Sequence, residues 1–192
     1  MKKAIISGLN KLGYNLVKKG TKIEENYPDI NEKEFWDLFH FCKPYTMTSV
    51  ERLYGLYSAV NYVLSHNIQG NFIECGVWRG GSAMLIAKML VNRNILDRKI
   101  FLYDTFEGMS APTKNDVAID GNDAHQLMEA SLDNKEESVW CLADLTDVQR
   151  NLKSTKYPDN NLIFVKGKVE DTIPSTLPQG GHCPTPLRYR LV

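Results

Sequence analysis

The chain has 192 residues, enough for one domain with a sizeable hydrophobic core. Hydrophobic residues make up 43% and charged residues 24%, as in ordinary globular proteins. Lys plus Arg and Asp plus Glu both number 23, so the formal net charge is zero. This balance argues against a nucleic-acid-binding protein, because such proteins usually present a basic surface.

The N-terminal segment and the cysteines indicate the compartment. Apolar residues within 5–16 and the five lysines among the first 20 residues favour a basic amphipathic helix, which either docks on protein or frays, or else makes weak contact with a membrane surface. The apolar patch is too short for a signal peptide, and no run reaches the roughly 18 residues of a membrane span. The four cysteines show neither CxxC nor metal-ligand spacing, which favours free thiols. We therefore expect a cytoplasmic protein without a transmembrane segment.

Two helices are predicted in the first third of the chain. "NEKEFWDLFHFCKPY" is typical of a helix with Asn31 as N-cap and Glu34 three residues later, ending before Pro44. "TSVERLYGLYSAVNYVLSH" follows, with Thr48 and Glu51 as a predicted capping box and its apolar residues on one helix face.

A strand, a helix and a second strand come next. The continuous apolar run 72–77 predicts a strand, 82–91 a helix, and "KIFLYD" a strand ending at Asp104. This order predicts a βαβ unit with parallel strands. The polar stretch 106–139 lacks a regular period and is interpreted as a lid or a disordered insert. A helix over 145–152 and a third strand, "NLIFVKG", complete the predicted elements.

Polar residues follow each predicted strand, where parallel sheets bind ligands. Glu74 closes the first strand and precedes the glycine-rich "GVWRGG", after which a helix N-terminus offers free N–H groups. Asp104, at the end of the second strand, is placed to accept hydrogen bonds from ribose hydroxyls. "VKGKVEDT" follows the third strand, near the expected adenine ring. The spacing is not GxGxxG, so the pattern leaves two interpretations open, a nucleoside cofactor site and a structural glycine turn.

Three segments, "FIECGVWRGGSAMLIAKML", "IFLYDTFEGM" and "WCLADLTDVQRNLKSTKYPDNNLIFVKGKVEDTIP", resemble the macrocin O-methyltransferase family of the TylF/MycF type. Its members are S-adenosylmethionine-dependent sugar O-methyltransferases. The resemblance implies an α/β fold, a Rossmann-like class I methyltransferase domain of which this chain holds the N-terminal part. The expected organisation is a helical lead-in over 1–44, a partial methyltransferase domain over 45–179 and a non-family tail over 180–192.

The same resemblance implies a set of residues around S-adenosylmethionine. Those expected at its methionine half are Met47, Thr48, Glu74, Gly76, Trp78, Arg79 and Gly80, those at the ribose and adenine are Asp104, Thr105 and Phe106, and those beside the ring are Gly167, Lys168 and Val169.

Family members add a divalent metal (Mg) and a general base, because a sugar hydroxyl is a poor nucleophile. His125 in "DAHQLMEA" is the predicted catalytic base, and the other interpretation is a solvated loop histidine. The family's metal ligands lie in a fourth strand resembling "LLRLDTDWYE" and a later "DDY". Neither occurs in this chain, so we predict no metal ligand here. Trp140 is interpreted as core or lid packing rather than a functional wall.

The tail "QGGHCPTPLRYRLV" suggests a cause for this difference. With one choice of codons, reading the same bases one position later encodes K-A-A-I-A-L-L-R-L-D-T-D-W-Y, which resembles the family's metal-binding strand. We therefore expect a frameshift near Gln179, and the other interpretation is an unrelated natural tail. Nucleotide sequencing distinguishes them, since a shifted frame would continue through "LDTDWYE" towards "DDY".

The sequence thus predicts an O-methyltransferase for a hydroxyl of a sugar, glycosylated metabolite or polysaccharide, with doubtful activity in this truncated form. Its partners would be S-adenosylmethionine and a small-molecule or glycan acceptor, without nucleic acid, and an oligomer is compatible with the pattern. Two alternatives stay open. One is a non-catalytic S-adenosylmethionine-binding remnant, and the other is an NAD-dependent nucleotide-sugar enzyme, against which the absent GxGxxG counts.

Overall fold

The structure, a computed structural model, describes residues 22–110, 112–113, 121, 123–131, 133 and 140–176. The helices are α1 (Lys33–Cys42), α2 (Val50–Ser65), α3 (Gly81–Asn92), α4 (Ala124–Glu129), α5 (Leu145–Lys153) and α6 (Val169–Thr176). The strands are β1 (Phe72–Cys75), β2 (Ile100–Asp104) and β3 (Leu162–Lys166), and short 3₁₀ helices occur at Ile23–Asn26, Lys43–Tyr45 and Asp159–Asn161. Within these ranges, no helix has both the length and the apolar character needed to cross a membrane.

The chain divides into two compact units, Met1–Trp36 and Asp37–Val192. In the described part of the first, the Trp36 indole N–H donates to the carbonyl of Ile30 at 3.0 Å. The Trp36 ring also lies 6.2 Å from the ring of Tyr27, centroid to centroid. Trp36 therefore packs against the chain segment that leads into α1. All the site residues discussed below belong to the second unit.

The helix α2 begins one residue later than predicted. Its N-cap is Ser49, whose hydroxyl accepts the backbone N–H of Arg52 at 3.5 Å, so the prediction of Thr48 as N-cap is wrong. The backbone N–H of Thr48 instead donates to the hydroxyl of Thr46 at 3.0 Å. This short turn keeps Thr48 outside the helix, so Thr48 does not cap it.

A three-stranded parallel sheet in the order β1-β2-β3 lies at the centre of the second unit. The predicted βαβ unit is confirmed, with Glu74 opposite Leu102 and Cys75 opposite Tyr103. The middle strand β2 is buried along four consecutive residues, as expected for a strand covered on both faces. In the described part of the chain, β1 pairs only with β2, so its other edge has no neighbouring strand.

The helix α3 supplies much of the core. Eight of its residues are buried, including Ala83, Met84, Leu85, Met89 and Leu90. A helix that is apolar on almost every side must be covered on almost every side, and α2, α5 and β2 all pack against it. Because α3 is held from several directions, its N-terminus is a rigid platform beside the carboxyl end of β1.

Two elements differ from the sequence prediction. The polar stretch 106–139 contains the helix α4, which has no periodic signal because it is only six residues long. The helix α6 was not predicted, since Pro174 interrupts its pattern. The hydroxyl of Tyr103, a buried residue of β2, donates to the Thr176 carbonyl at 2.8 Å and holds the end of α6. The predictions for residues 1–21 and 177–192 lie outside the described residues.

Candidate functional site at the strand ends

Glu74 is a buried acid without a complete set of hydrogen-bond partners. Only 5% of its surface is exposed, and among the described residues its Oε2 atom has no partner. The pKa of Glu74 is raised to about 8, mainly by burial and to a smaller degree by the nearby carboxylate of Asp104, while hydrogen bonds from Ser82 and from the backbone of Ala83 act to lower it. The carboxyl group therefore lies at the N-terminus of α3 with one oxygen unsatisfied, an arrangement that favours a cationic ligand.

The loop between β1 and α3 has a left-handed backbone at three positions. Gly76 has φ of 82°, Trp78 of 46° and Gly80 of 89°. Glycine adopts such angles freely, whereas a tryptophan at positive φ is strained. Gly80 is the N-cap of α3 and supplies no side-chain cap, so acceptors for the first N–H groups of the helix must come from other residues, as Glu74 does for Ala83.

Asp104 holds this loop in place. Its Oδ2 atom accepts the backbone N–H of Val77 at 2.6 Å and that of Trp78 at 3.3 Å. Its Oδ1 atom accepts the N–H of Phe106 at 2.8 Å, with the hydroxyl of Thr105 at 3.4 Å. The carboxylate thus joins two loops and compensates for the strained backbone of Trp78 and Phe106, both at positive φ. A ribose would have to share oxygens that backbone donors already engage.

The second loop, residues 105–109, is closed by the chain around Trp140. The carbonyl of Trp140 accepts the N–H of Met109 at 2.8 Å, and its indole N–H donates to the Met128 carbonyl at 2.7 Å. A Cβ at Gly108 would lie 2.7 Å from the Trp140 carbonyl oxygen, so only glycine fits there. These contacts agree with the interpretation of Trp140 as a packing residue that ties α4 to the loop.

The other predicted site residues are distributed around these two loops. Met47 is 48% exposed, on the segment before α2. The backbone N–H of Gly167 donates to the Asp104 carbonyl at 2.9 Å, which places β3 beside the site. The carbonyl of Lys168 accepts two N–H groups of α6, the element in which Val169 is the first residue. His125 belongs to α4, but its side chain lies outside the described residues, so its role as base stays a prediction.

Arg79 does not extend freely into the site. Its Nε atom donates to Asp147 Oδ2 of α5 at 2.9 Å, and hydrogen bonding by Arg79 holds the pKa of Asp147 below its usual range. Asp147 and Asn151 were not singled out from the sequence. No local pattern could reveal them, because 68 residues separate Arg79 from Asp147.

The described ranges contain no group of three or more His, Cys, Asp or Glu side chains able to hold a metal ion. The described residues thus offer no fit for the divalent metal that the resemblance implies, and no step below depends on one.

Comparisons with known proteins agree with this geometry. The family model described as macrocin-O-methyltransferase (TylF) matches residues 16–180. Demethyldecarbamoylnovobiocin O-methyltransferase of Streptomyces niveus is 29% identical over 145 residues, which cover 76% of this chain and 50% of that protein. The 8-demethyl-8-(2,3-dimethoxy-alpha-L-rhamnosyl)-tetracenomycin-C 4'-O-methyltransferase of Streptomyces olivaceus is 28% identical over 130 residues, covering 68% of this chain and 46% of that protein.

Among solved structures, the O-methyltransferase NovP has a TM-score of 0.54 and 25% sequence identity, with 69% of this chain and 51% of that chain covered. The α/β architecture is therefore part of a Rossmann-like methyltransferase fold, as the resemblance implied. The chain spans about half the length of the curated relatives it matches. Because the family model covers most of the sequence, the chain belongs to the macrocin O-methyltransferase (TylF) family.

Proposed function

We propose that this chain carries the S-adenosylmethionine-binding half of an O-methyltransferase whose acceptor is a hydroxyl of a sugar or glycosylated small molecule. One observation carries the cofactor assignment, namely the buried carboxyl group of Glu74 at the N-terminus of α3, one oxygen of which has no partner among the described residues. A buried carboxylate is costly unless a cation compensates it, and the amino-acid end of S-adenosylmethionine carries an ammonium group.

The neighbouring groups suit the remainder of such a ligand. The helix α3 begins at Gly81 after a glycine that supplies no side-chain cap, so backbone N–H groups of its first turn can donate to the ligand carboxylate. Gly76 and Gly80 let the backbone approach closely. Asp104 and the loops that it joins lie at the end of the next strand, where a nucleoside would be held. When bound, the cofactor supplies an electrophilic methyl group, and the residues named here orient it.

The acceptor class is supported by the names of the relatives. One matched protein is named as acting on a rhamnosyl-tetracenomycin and another on a novobiocin derivative. We propose the same class of acceptor, a glycosylated small molecule, for this chain. His125 is the proposed base that removes the proton of the acceptor hydroxyl.

The cofactor proposal is tested by calorimetry and thermal unfolding with S-adenosylmethionine, S-adenosylhomocysteine and NADH. We expect the two sulfur compounds to bind and to raise the melting temperature, since a ligand specific for the folded state stabilises it. NADH should have no effect. Glu74→Gln should weaken binding about tenfold or more, because a charge-assisted hydrogen bond is lost. The exposed Glu25→Gln, outside every predicted site segment, is the matched control.

Each outcome has a defined meaning. Preferential NADH binding, or unchanged affinity in Glu74→Gln, contradicts the cofactor site. Tight binding without methyl transfer to any rhamnoside, followed with labelled S-adenosylmethionine, contradicts the catalytic part and supports the alternative of a non-catalytic binding module.

A further inference from the structure

Arg79 connects three separate parts of the second unit. Its Nε and Nη2 atoms donate to the Asp147 carboxylate at 2.9 and 3.5 Å. Its Nη1 atom donates to the carbonyl of Pro44 at 3.4 Å, and its guanidinium lies 5.3 Å from the centre of the Tyr45 ring. A planar guanidinium can engage a carboxylate along one edge while its face lies on an aromatic ring. The Arg79 side chain therefore links the loop that precedes α3 to the helix α5 and to the residues before α2.

The residues before α2, 44–48, are named here the capping segment, because they lie against the first residue of α3. A Cβ at Gly81 would be 2.6 Å from both the Tyr45 carbonyl oxygen and the Thr46 Cβ atom. Thr46 is buried, with 7% of its surface exposed. Its hydroxyl accepts the N–H of Thr48 at 3.0 Å, which turns the chain so that Met47 is exposed. The capping segment thus approaches the N-terminus of α3 as closely as backbone allows.

On the side of α5, Arg79 is held by two residues of that helix. The Asn151 amide donates to the carbonyl of Arg79 at 3.1 Å and to Asp147 Oδ2 at 3.1 Å. Asn151 is buried, whereas Arg150, a second partner of Asp147, is largely exposed. The helix α5 therefore holds both the backbone and, through Asp147, the side chain of Arg79. This leaves the guanidinium oriented towards the capping segment.

We infer that Arg79 is a positioning residue for the amino-acid end of the cofactor. Held by Asp147 and Asn151, it keeps the capping segment against the N-terminus of α3, the helix end at which Glu74 also lies. The inference rests on the proposed function, since it concerns how that site is shaped. It differs from the expectation that Arg79 lines the cofactor, because its guanidinium contacts protein groups on α5 and the capping segment.

The test compares two probes that share the adenosine part. S-adenosylhomocysteine has the amino-acid end, whereas 5′-methylthioadenosine lacks it. By calorimetry, Arg79→Gln should weaken S-adenosylhomocysteine binding about tenfold, as expected for loss of charge-assisted hydrogen bonds. Binding of 5′-methylthioadenosine should change less than about twofold, which a general loss of structure would not produce. Arg79→Lys should fall between wild type and Arg79→Gln, because lysine keeps the charge but not the planar fork.

The control is Arg150→Gln, which removes the exposed partner of Asp147 and should leave both affinities unchanged. If Arg79→Gln does not fold, Asp147→Asn serves instead, with a smaller selective loss expected because the amide still accepts a hydrogen bond. Equal weakening of both probes, or no weakening of either, overturns the inference while leaving the proposed function intact. Failure of the wild-type chain to bind S-adenosylhomocysteine rejects the proposed function and the inference together.

Discussion

Glu74 and Asp104 are acids near the carboxyl ends of adjacent strands, yet their surroundings differ. Glu74 is buried and one of its oxygens has no partner in the described structure. Asp104 is half-buried, and both of its oxygens accept backbone N–H groups from two loops. The difference shows that an acid at a strand end can either hold the neighbouring loops in place or keep an oxygen available to bind a ligand. What decides between these roles is whether backbone N–H groups turn towards the carboxylate.

The largest effect should follow from Asp104→Ala. The change leaves the N–H groups of Val77, Trp78 and Phe106 without their acceptor, at about 1–3 kcal/mol for each buried donor that stays unsatisfied. We expect a loss of about 3 kcal/mol or more in the free energy of unfolding, measured by urea denaturation. The exposed Asp159→Ala should change it by less than about 0.5 kcal/mol. Equal effects of the two variants would show that Asp104 does not organise the loops.

The second effect concerns the pH dependence that Glu74 produces. Its pKa is about 8 in the folded chain and near 4.5 when exposed. Between these values the folded state binds more protons than the unfolded state, so stability is full below pH 4.5 and falls as pH rises to about 8. The steepest decline is about 1.4 kcal/mol per pH unit, the value for one proton. Glu74→Gln should flatten this decline in a series of urea midpoints.

Among the described residues, the other groups whose pKa values the fold shifts titrate outside that window. Burial raises the pKa values of the Cys75 and Cys141 thiols from 9.0, while hydrogen bonding to Arg79 lowers that of Asp147 from 3.8. The exposed Glu170→Gln should therefore retain the wild-type slope. An identical slope in Glu74→Gln would mean that the carboxyl group is already charged and compensated in the free protein.

A third, smaller effect tests the close packing at the N-terminus of α3, the helix end beside Glu74. Gly81→Ala introduces a Cβ 2.6 Å from the Tyr45 carbonyl oxygen and the Thr46 Cβ atom of the capping segment, and overpacking of this kind costs about 1–3 kcal/mol. Gly55→Ala, in the interior of α2, meets nothing within 4 Å and should stabilise the helix by about 0.5–1 kcal/mol. Thermal melting measures both. The same sign for the two variants would contradict the close approach.

The smallest effect is expected where the loop after Asp104 meets β3. Lys166 Nζ lies 2.7 Å from Glu107 Oε1, but the two side chains are 54% and 70% exposed. Solvent screens such pairs, so Glu107→Gln should leave the melting midpoint unchanged within error. A clear decrease would show that the loop depends on this ion pair as well as on Asp104.

Much of the sheet and part of the site could be predicted from the sequence. The strands β1 to β3 and the helix α3 were predicted within two residues, because continuous apolar runs and glycine turns are local signals. The N-cap of α2 was misplaced by one residue, since Thr48 and Ser49 are chemically equivalent caps and only the bond from Thr48 to Thr46 separates them. The helix α6 escaped because Pro174 opposes helix propensity, while the contact of Tyr103 with Thr176 is not local.

The sequence by itself determined the order of the elements, the parallel βαβ unit and the presence of acids and glycines at the strand ends. These features depend on residue type and short spacing. Only the tertiary structure decided that Asp104 accepts backbone N–H groups, that one oxygen of Glu74 has no partner in the described part of the chain, and that Arg79 is held by Asp147. The reason is physical, since each of these states depends on the burial or the meeting of groups brought together only when distant segments pack.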